Sequence, residues 1–234
     1  MAEDPPVPLF CNPTAGRGRA GRRTRAISEL LAASGIETSI VTSRKRGDIE
    51  AGIAGAIRDG HRRVLVAGGD GSVHEAVNGI MSTGEIVELG VIPVGTGNDF
   101  AKACSIPQHW EHAAALLADR MAGRAPAIPV DVGLCNGRHF ANGLGIGFDA
   151  RVTAIAESIR LPMGDLVYLV ALLRALVEGI VTPTLRIRFG DIEIEGAVAW
   201  ARFYIQAHNG TDSLGVHLDG AGGVLGVQPL ARSL

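Results

Sequence analysis

Short apolar runs alternate with helical patterns through the first half of the chain. Ile49, Ile53 and Ile57 recur every four residues, as on the buried face of a helix that Asp48 can cap. Continuous apolar runs predict strands at Val7–Cys11, Ile36–Val41, Val64–Ala67 and Leu89–Val94. Further helices are predicted at Gly21–Ser34, at Val73–Met81, from Phe100 and at Trp110–Met121. This alternation predicts a layer of parallel strands covered by helices.

The pattern changes after Ala122. Two prolines within Arg124–Pro129 predict a linker, and short alternating segments follow it. Strands are predicted at Val130–Cys135, His139–Asn142, Leu185–Phe189, Ile192–Ile194 and Ala197–Ala207. A helix at Leu166–Leu176 interrupts them. We expect its apolar stripe to be core or a cover between domains, and an exposed hydrophobic lip is the alternative. The chain is thus predicted to contain an α/β domain, residues 1–125, and a mostly antiparallel β domain, residues 126–234.

One hairpin can be predicted down to its register. Gly190 supplies the positive φ that a two-residue turn needs after Phe189. This turn sets Arg188 opposite Glu193 on the neighbouring strand, and the next pair on the same face also carries opposite charges.

Composition limits the classes of protein that remain. A net charge of -2 and 4% aromatic residues argue against a nucleic-acid binder, which needs a basic surface or stacking rings. The three cysteines have neither disulfide nor zinc spacing, and the acidic, Pro-rich start is unlike a signal peptide. The most apolar stretch, Leu166–Val181, contains Arg174 and Glu178, so no membrane span is predicted. We therefore expect a cytoplasmic protein.

Glycine-rich or polar segments follow all four predicted strands of the first half. They are Asn12–Gly18, Thr42–Gly47, Gly68–Ser72 and Pro93–Asp99. The carboxyl ends of parallel strands share one edge of a sheet, and ligands bind there. Glycines let backbone N–H groups approach phosphate oxygens, and Asp70 can hold a magnesium ion between phosphates. The four segments together predict a polyphosphate site.

An alternative uses the first segment alone. Gly16–Gly21 matches the G-x-G-x-x-G fingerprint of dinucleotide-binding folds, and Arg44 can suit the 2′-phosphate of NADP. An NADP-binding oxidoreductase is therefore the second interpretation, although it leaves Gly68–Ser72 and Gly95–Asp99 without a role. A Walker A loop is excluded because Arg22 stands where that motif has lysine.

The same segments resemble the diacylglycerol kinase and sphingosine kinase catalytic family, above all its bacterial soluble lipid kinases. The matching residues are Asn12-Pro-Thr-Ala-Gly16, Gly68-Gly-Asp-Gly-Ser72-Val-His-Glu75-Ala-Val-Asn78-Gly79 and Pro93-Val-Gly-Thr96-Gly-Asn98-Asp99-Phe-Ala101. The likeness continues through Phe140–Asn142 and Gly145–Ala150. It implies a Rossmann-like ATP-binding domain related to NAD kinase, then a β-sandwich, with the lipid site between them.

The resemblance also implies a reaction, in which the γ-phosphate of ATP passes to the hydroxyl of a lipid such as diacylglycerol or a sphingoid base. The implied cofactors are ATP and Mg²⁺, and the implied setting is the inner membrane surface. Asp70 would position Mg-ATP, and Asp99 and Asp149 would lie in the acceptor region. The nucleotide contacts implied by matching positions are Asn12, Pro13, Thr14, Ala15, Gly16, Thr42, Gly68, Gly69, Asp70, Gly71, Ser72, Val73, His74, Gly95, Thr96, Gly97 and Asn98.

The chain departs from the family pattern after Asn209–Gly210. Thr211–Leu234 does not match the segments that hold structural magnesium and the general base, so neither is assigned. We expect an incomplete sandwich whose open strand edges favour pairing with a second copy, and hence a homodimer. We also expect nucleotide binding with little lipid kinase turnover. The third interpretation is a kinase-like remnant that binds nucleotide without catalysis.

Overall fold

A computed structural model describes residues 5–123, 127–159, 166–180, 184–189, 192–197, 200–204, 215–219 and 224–229. Its first part contains a parallel sheet of four strands in the order β2-β1-β3-β4. The strands are β1 (Val7–Cys11), β2 (Thr38–Thr42), β3 (Arg63–Gly68) and β4 (Glu88–Pro93). The helices are α1 (Ala15–Ala33), α2 (Asp48–Arg58), α3 (Asp70–Met81), α4 (Asp99–Ala103) and α5 (Trp110–Met121). The predicted parallel α/β layer is confirmed.

Side chains that alternate along β1 and β3 separate two cores. Leu9 and Leu65 face α1 and α5 in a core that includes Ile27. Phe10 and Val66, one position further along each strand, pack with residues of α2 and α3. None of these five side chains is more than 2% exposed. Both faces of the sheet are therefore buried. Because the four strands are parallel, their carboxyl ends all lie at the same edge of the sheet.

Helix α2 begins differently from the prediction. Gly47, with a φ of 90°, is the N-cap, and Asp48 is the first helical residue. The Asp48 carboxylate accepts hydrogen bonds from the backbone N–H groups of Arg44 and Lys45 at 2.8 and 3.0 Å. Asp48 therefore closes the preceding loop instead of capping the helix, and the left-handed backbone at position 47 requires glycine.

The second part of the chain is antiparallel in its described residues, as predicted. A six-stranded sheet has the order β6-β5-β12-β11-β8-β9, and β7 pairs with β10. The strands are β5 (Asp131–Cys135), β6 (Arg138–Phe140), β7 (Gly143–Gly147), β8 (Thr184–Phe189), β9 (Ile192–Ala197), β10 (Trp200–Tyr204), β11 (Gly215–Asp219) and β12 (Val224–Pro229). Arg188 pairs with Glu193 and Arg186 with Glu195 in the β8–β9 register, which confirms the predicted pairing. The turn residues Gly190 and Asp191 lie outside the described residues.

Several elements of this part escaped prediction. Strand β7 has glycine at Gly143, Gly145 and Gly147, and glycines in a strand interior weaken the strand signal in the sequence. Helix α6 (Phe148–Ser158) starts after Gly147, whose φ is 80°. Strands β11 and β12 fall within the segment that departs from the family pattern, and they pair between β5 and β8.

Helices α6 and α7 (Leu166–Val177) form a hairpin that leaves most of α7 uncovered. Ala171 and Ala175 are fully buried against α6, where their small side chains allow close approach. The larger apolar side chains of α7 are exposed, including Leu169 at 50% and Leu173 at 54%. The stripe is not core, since its only deeply buried positions in the described residues are alanines, and its alternative role as a cover between domains stays a prediction. No helix of the described residues has the length and apolar character to cross a bilayer.

Candidate functional site

The carboxyl ends of the parallel strands open on a cleft of about 1360 Å³, which we call the strand-end cleft. One wall comes from the loops after β1 to β4, and the other comes from β6, β7 and the α6–α7 hairpin. The lining includes Asn12, Pro13, Thr14, Arg44, Lys45, Arg46, Asp70, Gly71, Val73, His74, Thr96, Gly97, Asp99, Arg138, Asn142 and Tyr168. Cations, carboxylates and open backbone therefore face the same space.

The loop after β1 is ordered by its own side chains. The Asn12 Oδ1 atom accepts hydrogen bonds from the backbone N–H and the hydroxyl of Thr14 at 3.1 and 2.8 Å. Helix α1 begins immediately afterwards, next to the lining residue Thr14. Arg19 donates to the carbonyl oxygens of Gly16 and Gly95 and thereby ties this loop to the loop after β4.

The loops after β3 and β4 touch backbone to backbone. A Cβ atom added to Gly95 would lie 2.5 Å from the Cα of Gly69, closer than any side chain can stand. Gly71, in the first turn of α3, is exposed and has no neighbouring atom within 4 Å of such a Cβ. A phosphate oxygen can therefore approach the start of α3, where N–H groups and the helix dipole favour negative charge.

Two carboxylates converge on Gly97. Asp70 Oδ1 accepts a hydrogen bond of 3.0 Å from the backbone N–H of Phe100, in the first turn of α4. A Cβ added to Gly97 would lie 2.8 Å from the second oxygen of Asp70, Oδ2, and 3.9 Å from Asp99 Oδ2. Mg²⁺ in phosphotransfer sites is held by one or two carboxylates plus substrate phosphates, so this arrangement fits it. Within the described residues no cluster of three or more acidic, His or Cys side chains could hold a metal alone.

Asn98 adds a buried acceptor behind this point. Its backbone is left-handed, with a φ of 55°, and its Nδ2 donates to the carbonyl oxygen of Gly95 at 3.2 Å. Its Oδ1 atom is buried and has no hydrogen-bond partner among the described residues. An unpartnered buried oxygen costs free energy, so a donor supplied by water or a ligand would be stabilising here.

The loop after β2 supplies positive charge. Arg44, Lys45 and Arg46 line the cleft in sequence. The backbone N–H of Arg44, followed by that of Lys45, holds the pKa of the Asp48 carboxyl below its usual range, so Asp48 stays ionised and keeps the loop closed. This loop presents three cations to any anion in the cleft.

Two polar contacts join the two parts of the chain beside the cleft. Arg138 of β6 makes a bidentate ion pair with Glu50 of α2, at 2.7 and 2.8 Å. The Asn78 amide exchanges two hydrogen bonds of 2.9 Å with the backbone of His139, and Asn78 is only 5% exposed. These contacts fix β6 against α3, so the second wall of the cleft has a defined position. Burial, and then the charge of Arg138, lower the pKa of His74 on α3, across from β6.

The structure brings together ten of the residues predicted from sequence, and these line the cleft: Asn12, Pro13, Thr14, Asp70, Gly71, Val73, His74, Thr96, Gly97 and Asp99. The other predicted nucleotide contacts are not among the residues that line it: Ala15, Gly16, Thr42, Gly68, Gly69, Ser72, Gly95 and Asn98. Asp149 is the second residue of α6, beside the lining residue Ala150, and its side chain lies outside the described part.

Glu50 and Arg138 were missed by the sequence reasoning. Each is an ordinary charged residue on an amphipathic element, 88 positions apart in the chain. Asn78 lies within the recognised motif, but a helical asparagine carries no signal that it binds the backbone of a distant strand. Only the fold brings these groups together.

Residues 6–130 match the family model described as the diacylglycerol kinase catalytic domain, which is more than half of the chain. The chain belongs to this family. It is 31% identical over 209 residues to a diacylglycerol kinase of Bacillus subtilis (strain 168), covering 88% of this chain and 65% of that protein. It is 30% identical over 148 residues to a diacylglycerol kinase of Staphylococcus carnosus (strain TM300), covering 63% of this chain and 46% of the relative. The chain thus spans less than two thirds of each of these members of the diacylglycerol kinase family.

Solved structures agree with the diacylglycerol kinase family fold. A crystal structure of a diacylglycerol kinase from Bacillus anthracis (strain Sterne) superposes with a TM-score of 0.65 at 23% identity, covering 95% of this chain and 75% of that chain. A second structure from the same strain gives a TM-score of 0.70 at 25% identity, covering 92% of this chain and 76% of the other. The likeness includes both the parallel and the antiparallel parts.

Proposed function

We propose that the chain binds Mg-ATP in the strand-end cleft and transfers the γ-phosphoryl group to a lipid hydroxyl, of diacylglycerol or a sphingoid base. The observation that carries this proposal is the convergence of the Asp70 and Asp99 carboxylates at Gly97, beside the start of α3. Phosphoryl transfer depends on positioning and on neutralising the phosphate charge. The cleft offers carboxylates for a cation and N–H groups and cations for phosphates.

Each loop has a part in this proposal. The starts of α1 and α3, with Asn12–Gly16 and Gly68–His74, hold phosphate oxygens through backbone N–H groups. Arg44 and its two neighbours balance phosphate charge, and Gly95–Asn98 closes the remaining side. Asp70 and Asp99 hold the Mg²⁺, which when bound neutralises charge on the phosphates. No residue is assigned as the base that takes the hydroxyl proton.

We propose residues 1–125 as the ATP-binding domain and residues 126–234 as the acceptor domain, whose antiparallel sheets would form a β-sandwich. The acceptor would enter between Asp99 and the start of α6, where Asp149 lies. Helix α7 supports a lipid acceptor, because Tyr168 lines the cleft while its neighbours on the helix present exposed apolar side chains. At 12 residues α7 is about 18 Å long, which suits lying in a membrane surface rather than crossing it.

The oxidoreductase alternative finds less support. An NADP site would use the loops after β1 and β2, and it would leave Gly68–Ser72 and Gly95–Asp99 without a role. A remnant that binds nucleotide without catalysis differs from the kinase only in turnover. We expect slow turnover because no base is assigned, and loss of a base typically costs about 10²–10⁴-fold.

The test is transfer of label from [γ-³²P]ATP to diacylglycerol and sphingosine in mixed micelles, with ATP binding measured in parallel. We expect labelled lipid that depends on Mg²⁺, at a rate below the roughly 1–100 per second of ordinary kinases. ATP binding with no label in lipid after prolonged incubation would favour the remnant. Absence of ATP binding would exclude both the lipid kinase and the nucleotide-binding remnant.

A further inference from the structure

A second cavity lies beside β4, the last strand of the parallel sheet in the described residues. Its volume is about 530 Å³, within the range of about 300–1,000 Å³ typical of small-molecule sites. We call it the apolar cavity, because most of its wall is hydrocarbon. The wall includes Leu65, Val77, Val91, Leu116, Leu117 and Met121.

The apolar cavity shares a wall with the strand-end cleft. Phe100 and Ala141 line both spaces. Phe100 is 7% exposed, and its backbone N–H donates to Asp70 Oδ1. The two spaces therefore adjoin at a residue that is hydrogen-bonded to a carboxylate at the proposed site of phosphoryl transfer. A lipid whose chain fills the apolar cavity would pass Phe100 and place its head group at that site.

The charged side chains that line the cavity do not select a charged ligand. They are Arg63, Glu88 and Arg120; Arg63 pairs with Glu88 at 2.8 Å, and Arg120 has an interaction of its own. None of these charges is without a partner, and most of the remaining wall is apolar. The chemistry of the cavity therefore matches an uncharged hydrocarbon chain, and a polar head group is better solvated in the cleft.

We propose that the apolar cavity takes one alkyl chain of the acceptor lipid, whose hydroxyl head group then lies in the strand-end cleft beside Asp70. This inference rests on the proposed lipid kinase function and adds to it a site for the chain. Each methylene buried there strengthens binding about fourfold, so affinity depends on chain length until the cavity is full.

Cys104 provides a direct readout, since its side chain lines the apolar cavity. Cys135 on β5 lines neither space and serves as an internal control. Both thiols are partly buried, and burial raises the pKa of each. The rate of alkylation of each cysteine by iodoacetamide is measured on the whole chain by peptide mass spectrometry, without ATP. The added molecules are dioctanoylglycerol, dibutyrylglycerol, octanoate and glycerol.

We expect dioctanoylglycerol at ten times its dissociation constant to slow alkylation of Cys104 about tenfold and to leave Cys135 unchanged. Dibutyrylglycerol should protect less at equal concentration, and glycerol should not protect. Protection by octanoate but not by dioctanoylglycerol would assign the cavity to a free fatty acid and overturn the proposal. Unchanged reactivity with every lipid, or equal slowing of Cys135, would also overturn it.

A matched pair of variants locates the effect. Leu116→Trp fills the apolar cavity, whereas Leu30→Trp changes a partly buried leucine of α1 that lines neither space. The first should abolish protection by dioctanoylglycerol and the second should retain it; protection that survives Leu116→Trp contradicts the proposal. Failure of the kinase function leaves this readout intact, because protection needs no turnover. Phosphoryl transfer to dioctanoylglycerol with Cys104 unprotected would overturn this inference and leave the proposed kinase function standing.

Discussion

The two oxygens of the Asp70 carboxylate face different partners. One accepts the Phe100 N–H and so holds the start of α4, and the other faces Gly97 and the cleft. The glycines around Asp70 predicted a loop residue aimed at a metal ion. The sequence could not reveal the bond to Phe100, because the partner is a backbone group 30 positions away. A structural and a functional role therefore meet in one side chain, and substitutions can separate them.

Asp70→Asn should weaken Mg-ATP binding while leaving the fold intact. Asparagine keeps an oxygen for the Phe100 N–H but loses the negative charge, so we expect the dissociation constant to rise about tenfold or more, with each tenfold equal to about 1.4 kcal/mol. Isothermal titration with Mg-ATP measures the change. Asp70→Ala also loses the hydrogen bond and should lower the free energy of unfolding by about 1–3 kcal/mol. Equal destabilisation by both substitutions, with ATP affinity unchanged, would make Asp70 purely structural.

The Glu50–Arg138 ion pair should give the protein an acid-sensitive contribution to stability. Hydrogen bonds from Arg138 lower the pKa of the Glu50 carboxyl below its ordinary value of 4.5. The contribution is therefore complete above pH 4.5 and is lost as the pH falls through the lower pKa of the folded state. Because Arg138 is half exposed, we expect only about 0.2–1 kcal/mol. Urea unfolding should show Glu50→Gln less stable than the parent protein at pH 7, with a smaller difference in stability at pH 3. A difference in the free energy of unfolding that is the same at pH 7 and pH 3 would contradict this prediction.

At the scale of elements, the cleft depends on how β6 docks on α3. The Asn78 side-chain amide holds β6 there, because it donates one hydrogen bond to the backbone of His139 and accepts one from it, as a neighbouring strand would. Its Nδ2 also donates to the carbonyl oxygen of His74. The periodicity predicted α3 and the alternation predicted a strand near β6, but neither pattern predicts which helix a strand meets.

Asn78→Ala should loosen the second wall of the cleft. The substitution leaves the His139 N–H and carbonyl without this partner, at a cost of about 1–3 kcal/mol for each buried group that stays unsatisfied. Thermal unfolding measures the loss, and hydrogen exchange at β6 locates it. Asn78→Asp, which can accept from the His139 N–H but cannot donate, should be intermediate in stability at pH 7. Unaltered exchange at β6 in Asn78→Ala would argue against this role.

Helix α7 should bind lipid surfaces through its exposed apolar side chains. Leu169→Gln together with Leu173→Gln keeps helix-forming residues but removes two apolar groups, each contributing about 1.5–3 kcal/mol when fully buried. We expect sedimentation with phosphatidylglycerol vesicles to fall about tenfold or more, with the melting temperature nearly unchanged. Ile86→Gln, an equally exposed position outside α7, is the control. Equal vesicle binding by all variants would leave α7 without this role.

At the scale of the whole molecule, the features set by local patterns could be predicted from the sequence, whereas those set by long-range contacts could not. The strands of the parallel sheet have dense apolar runs, and the β8–β9 hairpin has a turn and matching charges, so both were predicted. Strand β7 was missed because three of its five residues are glycine. Helix α6 carries Val152, Ile155 and Ala156 at helical spacing, so its signal was present in the sequence and was overlooked. Strands β11 and β12 depend on partners far away in the chain. The loops of the cleft were recognisable from motifs, but the ion pair and the Asn78 contact that position its second wall required the fold.

The central claim is that the strand-end cleft is a Mg-ATP site, and competition between nucleotides tests it most directly. Isothermal titration of the whole chain compares ATP with NADP, each with Mg²⁺ and with EDTA. We predict that ATP binds more tightly than NADP and that removal of Mg²⁺ weakens ATP binding severalfold, because the Asp70 carboxylate then meets the phosphates without Mg²⁺ between them. NADP binding that is tighter than ATP binding and insensitive to Mg²⁺ would contradict the account.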